Sequence, residues 1–158
     1  MKGLAAALAV VLLAISASAC SKQAPEPRPD EATLRAEDKR TLEGIVAVDV
    51  RASQAMRDAD DATRVGDAGA ASLAVTSRAE PAVDEALRAA EGATMKSEWG
   101  KAKRDELVAI LHDRKAEMPK YDEAVKSNDP EKMLSAIQAQ AAIERRALAT
   151  VSAVQESR

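Results

Sequence analysis

From Glu31 onward, apolar side chains recur at every third or fourth position, and no stretch alternates with a period of two. A spacing near 3.6 places such residues on one face of a helix, so the pattern predicts helices and no sheet. Leu34, Leu42, Ile45, Val48, Ala52, Met56 and Ala59 mark a first helix over about Glu31 to Val65, with Asp30 as its cap. Gly66 ends it by taking the left-handed position, and Asp67 caps the next helix. That second helix, about Ala70 to Glu91, uses Leu73, Val83, Leu87 and Ala90, with Gly92 closing it. Pro81 falls inside it and is expected to kink or split it, because a mid-helix proline costs about 3 kcal/mol.

Ser97 caps a third helix that runs to about Ser127 through Leu107, Val108, Leu111, Met118, Tyr121 and Val125; Pro119 is expected to kink or divide it. Asn128-Asp129-Pro130-Glu131 combines a left-handed Asn, an Asp cap, Pro at the first helical position and an early acid. A fourth helix continues from there to near Glu156, its expected core face being Leu134, Ile137, Ala141, Leu148 and Val151. Short connections favour antiparallel neighbours. The predicted fold is therefore all-α: an antiparallel up-down four-helix bundle with Pro-kinked second and third helices. The chain has 36 alanines, 28 of them in residues 31–158, and such small side chains let helices approach closely. Only 28 large apolar residues lie beyond residue 19, which predicts modest stability and makes a homodimer an expected way to bury more surface.

The chain before the bundle reads differently. Lys2, the apolar run Leu4–Ile15 and the small residues Ser16-Ala17-Ser18-Ala19 match the three-part pattern of a secretory signal. The 16 residues from Leu4 to Ala19 fall short of the ~20 needed to span a bilayer. Residues 1–19 are therefore expected to be cleaved off. Residues 20–30, with Pro25, Pro27 and Pro29, form a tether that at ~3.1 Å per residue reaches about 30 Å. Residues 31–158 form the bundle domain.

Ala17-Ser18-Ala19-Cys20 carries the only cysteine of the chain to the cleavage point. Here the sequence resembles a bacterial lipoprotein precursor, whose lipobox ends in Cys; the family usually has Leu where this chain has Ala17. The resemblance implies a diacylglyceryl thioether on Cys20, and two or three acyl chains hold a protein firmly where one does so marginally. In a Gram-negative host it implies, through Ser21, the outer membrane facing the periplasm. The same residues also fit A-x-A processing of an ordinary secreted protein, which would leave a free N-terminal thiol. No family resemblance is found for the rest of the chain.

Composition removes most chemistries. One Cys excludes an internal disulfide and multi-Cys metal centres. Trp99 and Tyr121 are the only aromatics, and a net charge of -3 with mixed signs argues against nucleic-acid binding. No nucleophile elbow, phosphate loop or dinucleotide fingerprint occurs. His112, the only imidazole, reads as a solvated boundary residue and not as a metal or haem ligand. No cofactor, metal or catalytic residue is expected.

Polar residues on apolar lines are the remaining signal. Asp49 sits among Val46, Val48 and Val50, Arg114 lies on the Leu107–Tyr121 line, and Gln140 and Glu144 stand beside Ile137 and Leu148. A buried charge requires a partner, so Arg114 is expected to contact Asp49, Glu144 or both, fixing register or lining a small polar pocket. Trp99, at the start of the third helix beside Gly100, is a candidate surface contact or a plug for the core's end. The function expected is that of a membrane-anchored envelope module, non-enzymatic, meeting a protein or cell-wall partner. The alternative is a periplasmic bundle that binds a small ligand or metal.

Overall fold

A computed structural model describes residues 30–157. The signal segment, Cys20 and nearly all of the tether lie outside the described residues. The described chain is entirely helical, without a strand, and forms a helical bundle of four rods. The first is α1 (Glu31–Arg64). The second is continuous but composite: α2 (Ala68–Ala74), a π-helical turn (Val75–Ala79) and α3 (Glu80–Gly92). The third is α4 (Glu98–Ser127) and the fourth α5 (Pro130–Glu156).

Each start is fixed by a side chain that satisfies orphan amides. Asp30 accepts from Thr33 N, Asp67 from Ala70 N, Ser97 from Gly100 N, and Asp129 from Glu131 and Lys132 N. The second rod begins at Ala68, two residues before the expected Ala70, because the Asp67 cap leads directly into it. Gly66 (φ 80°) and Asn128 (φ 50°) take the left-handed turns. Pro81 does not split the second rod. Ahead of it the backbone passes into π register, with Glu80 N–H donating to Val75 O. Pro81 then lies in the first turn of α3, where the lost donor is tolerated. Likewise α4 continues without a break across Pro119.

The core follows two lines of alternating four- and three-residue steps. On α1 the buried line is Asp38, Leu42, Ile45, Asp49, Ala52, Met56, Ala59, and on α4 it continues as Leu107, Leu111, Arg114, Met118, Tyr121, Val125. The second rod contributes mainly alanines, among them Ala71, Ala74, Ala79, Ala82, Ala86 and Ala90, with Val75, Val83 and Leu87. Small residues bring the backbones close, so added volume has nowhere to go. Ala86→Leu would overpack by about 1–3 kcal/mol, whereas Leu111→Ala would lose about 2–5 kcal/mol.

α5 packs on α1 and α4 and touches neither α2 nor α3. Its orientation corrects the expected core face. The buried residues are Ala136, Ile143, Ala147, Thr150 and Val154. Leu134 is 59%, Ile137 43% and Leu148 58% exposed, Ala141 is exposed and Val151 only half-buried. This Ala-rich helix carries two apolar stripes, and the one with smaller side chains fits the narrow gap between α1 and α4. Leu73, also expected in the core, is exposed while Ala71 and Ala74 are buried. His112 is exposed and sits 3.2 Å from Glu91. Trp99 is half-buried and packs against the core's edge.

Candidate functional site

At mid-bundle the two core lines place opposite charges at the same level. Arg114 is 1% exposed. Its Nη2 donates to Glu144 Oε2 at 2.7 Å and lies 3.4 Å from Asp49 Oδ2. Its Nε stands 3.1 Å from Asp49 Oδ1. That distance pairs the charges, yet the N–H is not aimed at the oxygen, and both atoms lack a hydrogen bond. Ser53 Oγ donates to the same Glu144 oxygen at 3.2 Å, and Arg57 approaches the other at 3.9 Å. One guanidinium thus serves two carboxylates, one enclosed and one at the rim.

Burial raises the Asp49 carboxyl above its ordinary range; Arg114 opposes the rise and the Glu144 charge adds to it. Desolvation of Asp49 outweighs its one imperfectly aimed partner, so the presence of the pair does not by itself argue for net stabilisation. Gln140, the fourth member of the expected cluster, is not joined to the triad. It is half-buried, and its Nε2 is enclosed with no acceptor. With Ser53, Arg57, Arg114, Ile137 and Glu144 it lines a cleft of about 210 Å³ between α1 and α5.

Two further polar layers had no forecast from the sequence. Near the start of α1, buried Asp38 accepts from Ser97 N at 2.7 Å, Ser97 Oγ at 2.6 Å and Lys96 N at 2.9 Å. Burial pushes this carboxyl up, but the Ser97 hydroxyl, the two amides and the Lys96 charge outweigh it and hold it below the usual range. Gly100 is required there: a Cβ would stand 2.2 Å from Asp38 Oδ2. Toward the other end, fully buried Tyr121 donates to Asp60 Oδ1 at 2.6 Å and lies 3.4 Å from Thr63 Oγ1. Burial and the bond to Asp60 raise its phenol strongly. Asp38, Asp49 and Asp60 are eleven residues apart on α1, about 16 Å each. The sequence signal for these layers is that spacing.

Chemically, the triad offers a permanent cation and two carboxylates, and the cleft adds the hydroxyl of Ser53, which donates to Glu144. Among the described residues no group of three or more His, Cys, Asp or Glu is arranged to hold a metal ion. Comparison with known protein families, curated proteins and solved structures found no match to the chain.

Proposed function

We propose that this chain is a bacterial envelope lipoprotein: residues 1–19 are removed, Cys20 is acylated, and the helical domain is displayed on the tether as a non-enzymatic interaction or structural module. The observation that carries the reading is the sole cysteine, placed behind Ala17-Ser18-Ala19 and eleven residues ahead of Glu31, where α1 begins. No helix of the described residues is long and apolar enough to cross a membrane, so a membrane association of the domain would come from the lipid. The partner is a protein or cell-wall component, in a Gram-negative host reached from the outer membrane's periplasmic face. Partition between detergent and water tests it. The wild-type chain expressed in a bacterial host enters the detergent phase, and Cys20→Ala abolishes the transfer. Equal partition of both overturns the reading.

The architecture we infer is the antiparallel up-down bundle. Support comes from the pairs Arg51–Glu85 and Asp58–Arg78, in which the later α1 residue meets the earlier residue of the second rod, from the bond between late α4 and early α5 (Glu123–Lys132), and from Lys39 Nζ of early α1 donating to Gln155 O of late α5. Bends at Pro81 and Pro119 belong to the same inference, supported by the π turn ahead of the first and by the missing donor of the second. A second reading, binding of a small polar ligand in the cleft, is favoured by one observation, the unpartnered Nε2 of Gln140. It requires non-covalent mass that survives in native mass spectrometry of the chain and is lost in Gln140→Leu.

A further inference from the structure

We propose that the outward face of α5 is the docking surface for a second copy of this chain, the two α5 helices lying side by side in opposite directions. The inference concerns the folded domain and does not depend on the lipid. From Met133 to Gln155 the only charged residues are Glu144, Arg145 and Arg146, in a chain that is 31% charged. Glu144 turns inward onto Arg114, and Arg146 pairs with Asp113. Arg145 is left as the one charge on that face without an ionic partner among the described residues; its Nε donates to Ala141 O. The exposed line runs Leu134, Gln138, Ala141, Arg145, Leu148, Ser152, in steps of four and three, with Ile137 alongside. Steps of four and three are the spacing of a helix–helix seam.

Charge and size choose the occupant and its direction. In a parallel pair, Arg145 would meet its own copy. Reversed, Arg145 falls opposite Ala141 of the second copy and within reach of the Gln138 carbonyl, while Leu134 falls opposite Ser152. Leu148 falls opposite Gln138, so two of the three pairs set a large residue against a small one, and each contact is repeated across the two-fold axis, as a self-complementary contact requires. Leu134 to Ser152 spans about 27 Å. With the adjacent edge of α1, where Ala47 and Val50 are exposed, the face is about 20 Å wide. The pair would cover about 1,000 Å², the lower limit for a specific interface, which places the dimer among weak, reversible associations.

Sedimentation equilibrium of the full chain in density-matched detergent tests the proposal. The expected result is a micromolar monomer–dimer equilibrium that Leu148→Glu abolishes while helical circular dichroism is unchanged. Gln138→Glu, about one turn from the position opposite Arg145 of the second copy, tightens it by about fivefold and Gln138→Lys loosens it similarly. Should Leu148→Glu fail to fold, the Gln138 pair alone decides, since that side chain is exposed. A monomer at every concentration overturns the proposal, whether residues 1–29 or a different protein covers the face. Association that ignores all three changes, as in clustering within a shared micelle, overturns it as well.

Discussion

Replacing Arg114 with Met tests the mid-bundle charge layer. The methionine roughly keeps the apolar volume and removes the cation, so the loss reports on charge. Asp49 is then enclosed, 4% exposed, with no positive neighbour, while Glu144 at the rim can reach water. Removing one member of a buried pair costs about 3–5 kcal/mol, and at neutral pH the value should fall in that range because the stranded carboxylate is the deeply buried one. The sign of the pH dependence comes from the direction of the Asp49 shift. Its folded carboxyl already titrates above the unfolded one, and loss of Arg114 moves it further up. A raised acid contributes stability that is complete below the unfolded pKa and is lost as pH rises through the folded one. The penalty of Arg114→Met is therefore smallest near pH 4 and grows toward pH 7. Urea unfolding monitored by helical circular dichroism at both values measures it, and Asp49→Asn in the same background should recover at least 1 kcal/mol at pH 7. A penalty under 0.5 kcal/mol at pH 7, or one independent of pH, refutes this view of the layer.

Two glycine replacements should move stability in opposite directions: Gly44→Ala, with nothing within 4 Å of the new Cβ, gains about 0.5–1 kcal/mol, whereas Gly100→Ala collides with Asp38 and loses about 1–3 kcal/mol; thermal unfolding of both reads the difference. Asp38→Asn should cost about 1–3 kcal/mol at pH 7. The lowered carboxyl contributes stability above its unfolded value of 3.8 and loses it as pH falls through the lower folded value, so wild type and variant should converge in acid, as unfolding at pH 2 and pH 7 would show. Tyr121→Phe leaves Asp60 without its donor and should cost about 1–2 kcal/mol. In the wild type the phenolate absorbance should appear on alkaline titration only with unfolding, because burial holds the group un-ionised.

Helix ends were legible because their signals are local: Asp30, Asp67, Ser97 and the Asn128–Pro130 run each act on amides within three residues. The rule that a charge on a core line needs a partner directed attention to Arg114, Asp49 and Glu144, which the structure brings within hydrogen-bond or ion-pair distance. Gln140 escaped the same rule, since an amide on a half-buried position has no charge to force pairing. The face of α5 was not legible. Its larger stripe, Leu134 and Leu148, is the better hydrophobic signal, but the space between α1 and α4 decides which stripe enters, and only tertiary packing sets that space. Asp38 was missed for a related reason: its eleven-residue spacing from Asp49 marks the position, but its partners are amides 58 and 59 residues away that the spacing does not encode. The π turn before Pro81 is a backbone answer to a missing donor that sequence leaves undetermined between a kink, a break and a shifted register.

The anchored display of the bundle is the central claim, and the mass of the chain's N-terminal peptide, taken from the membranes of a bacterial host, tests it most directly. The expected peptide begins at Cys20 and carries a diacylglyceryl thioether on Sγ. A peptide that begins at Cys20 with a free thiol, or one that retains Met1, would contradict it.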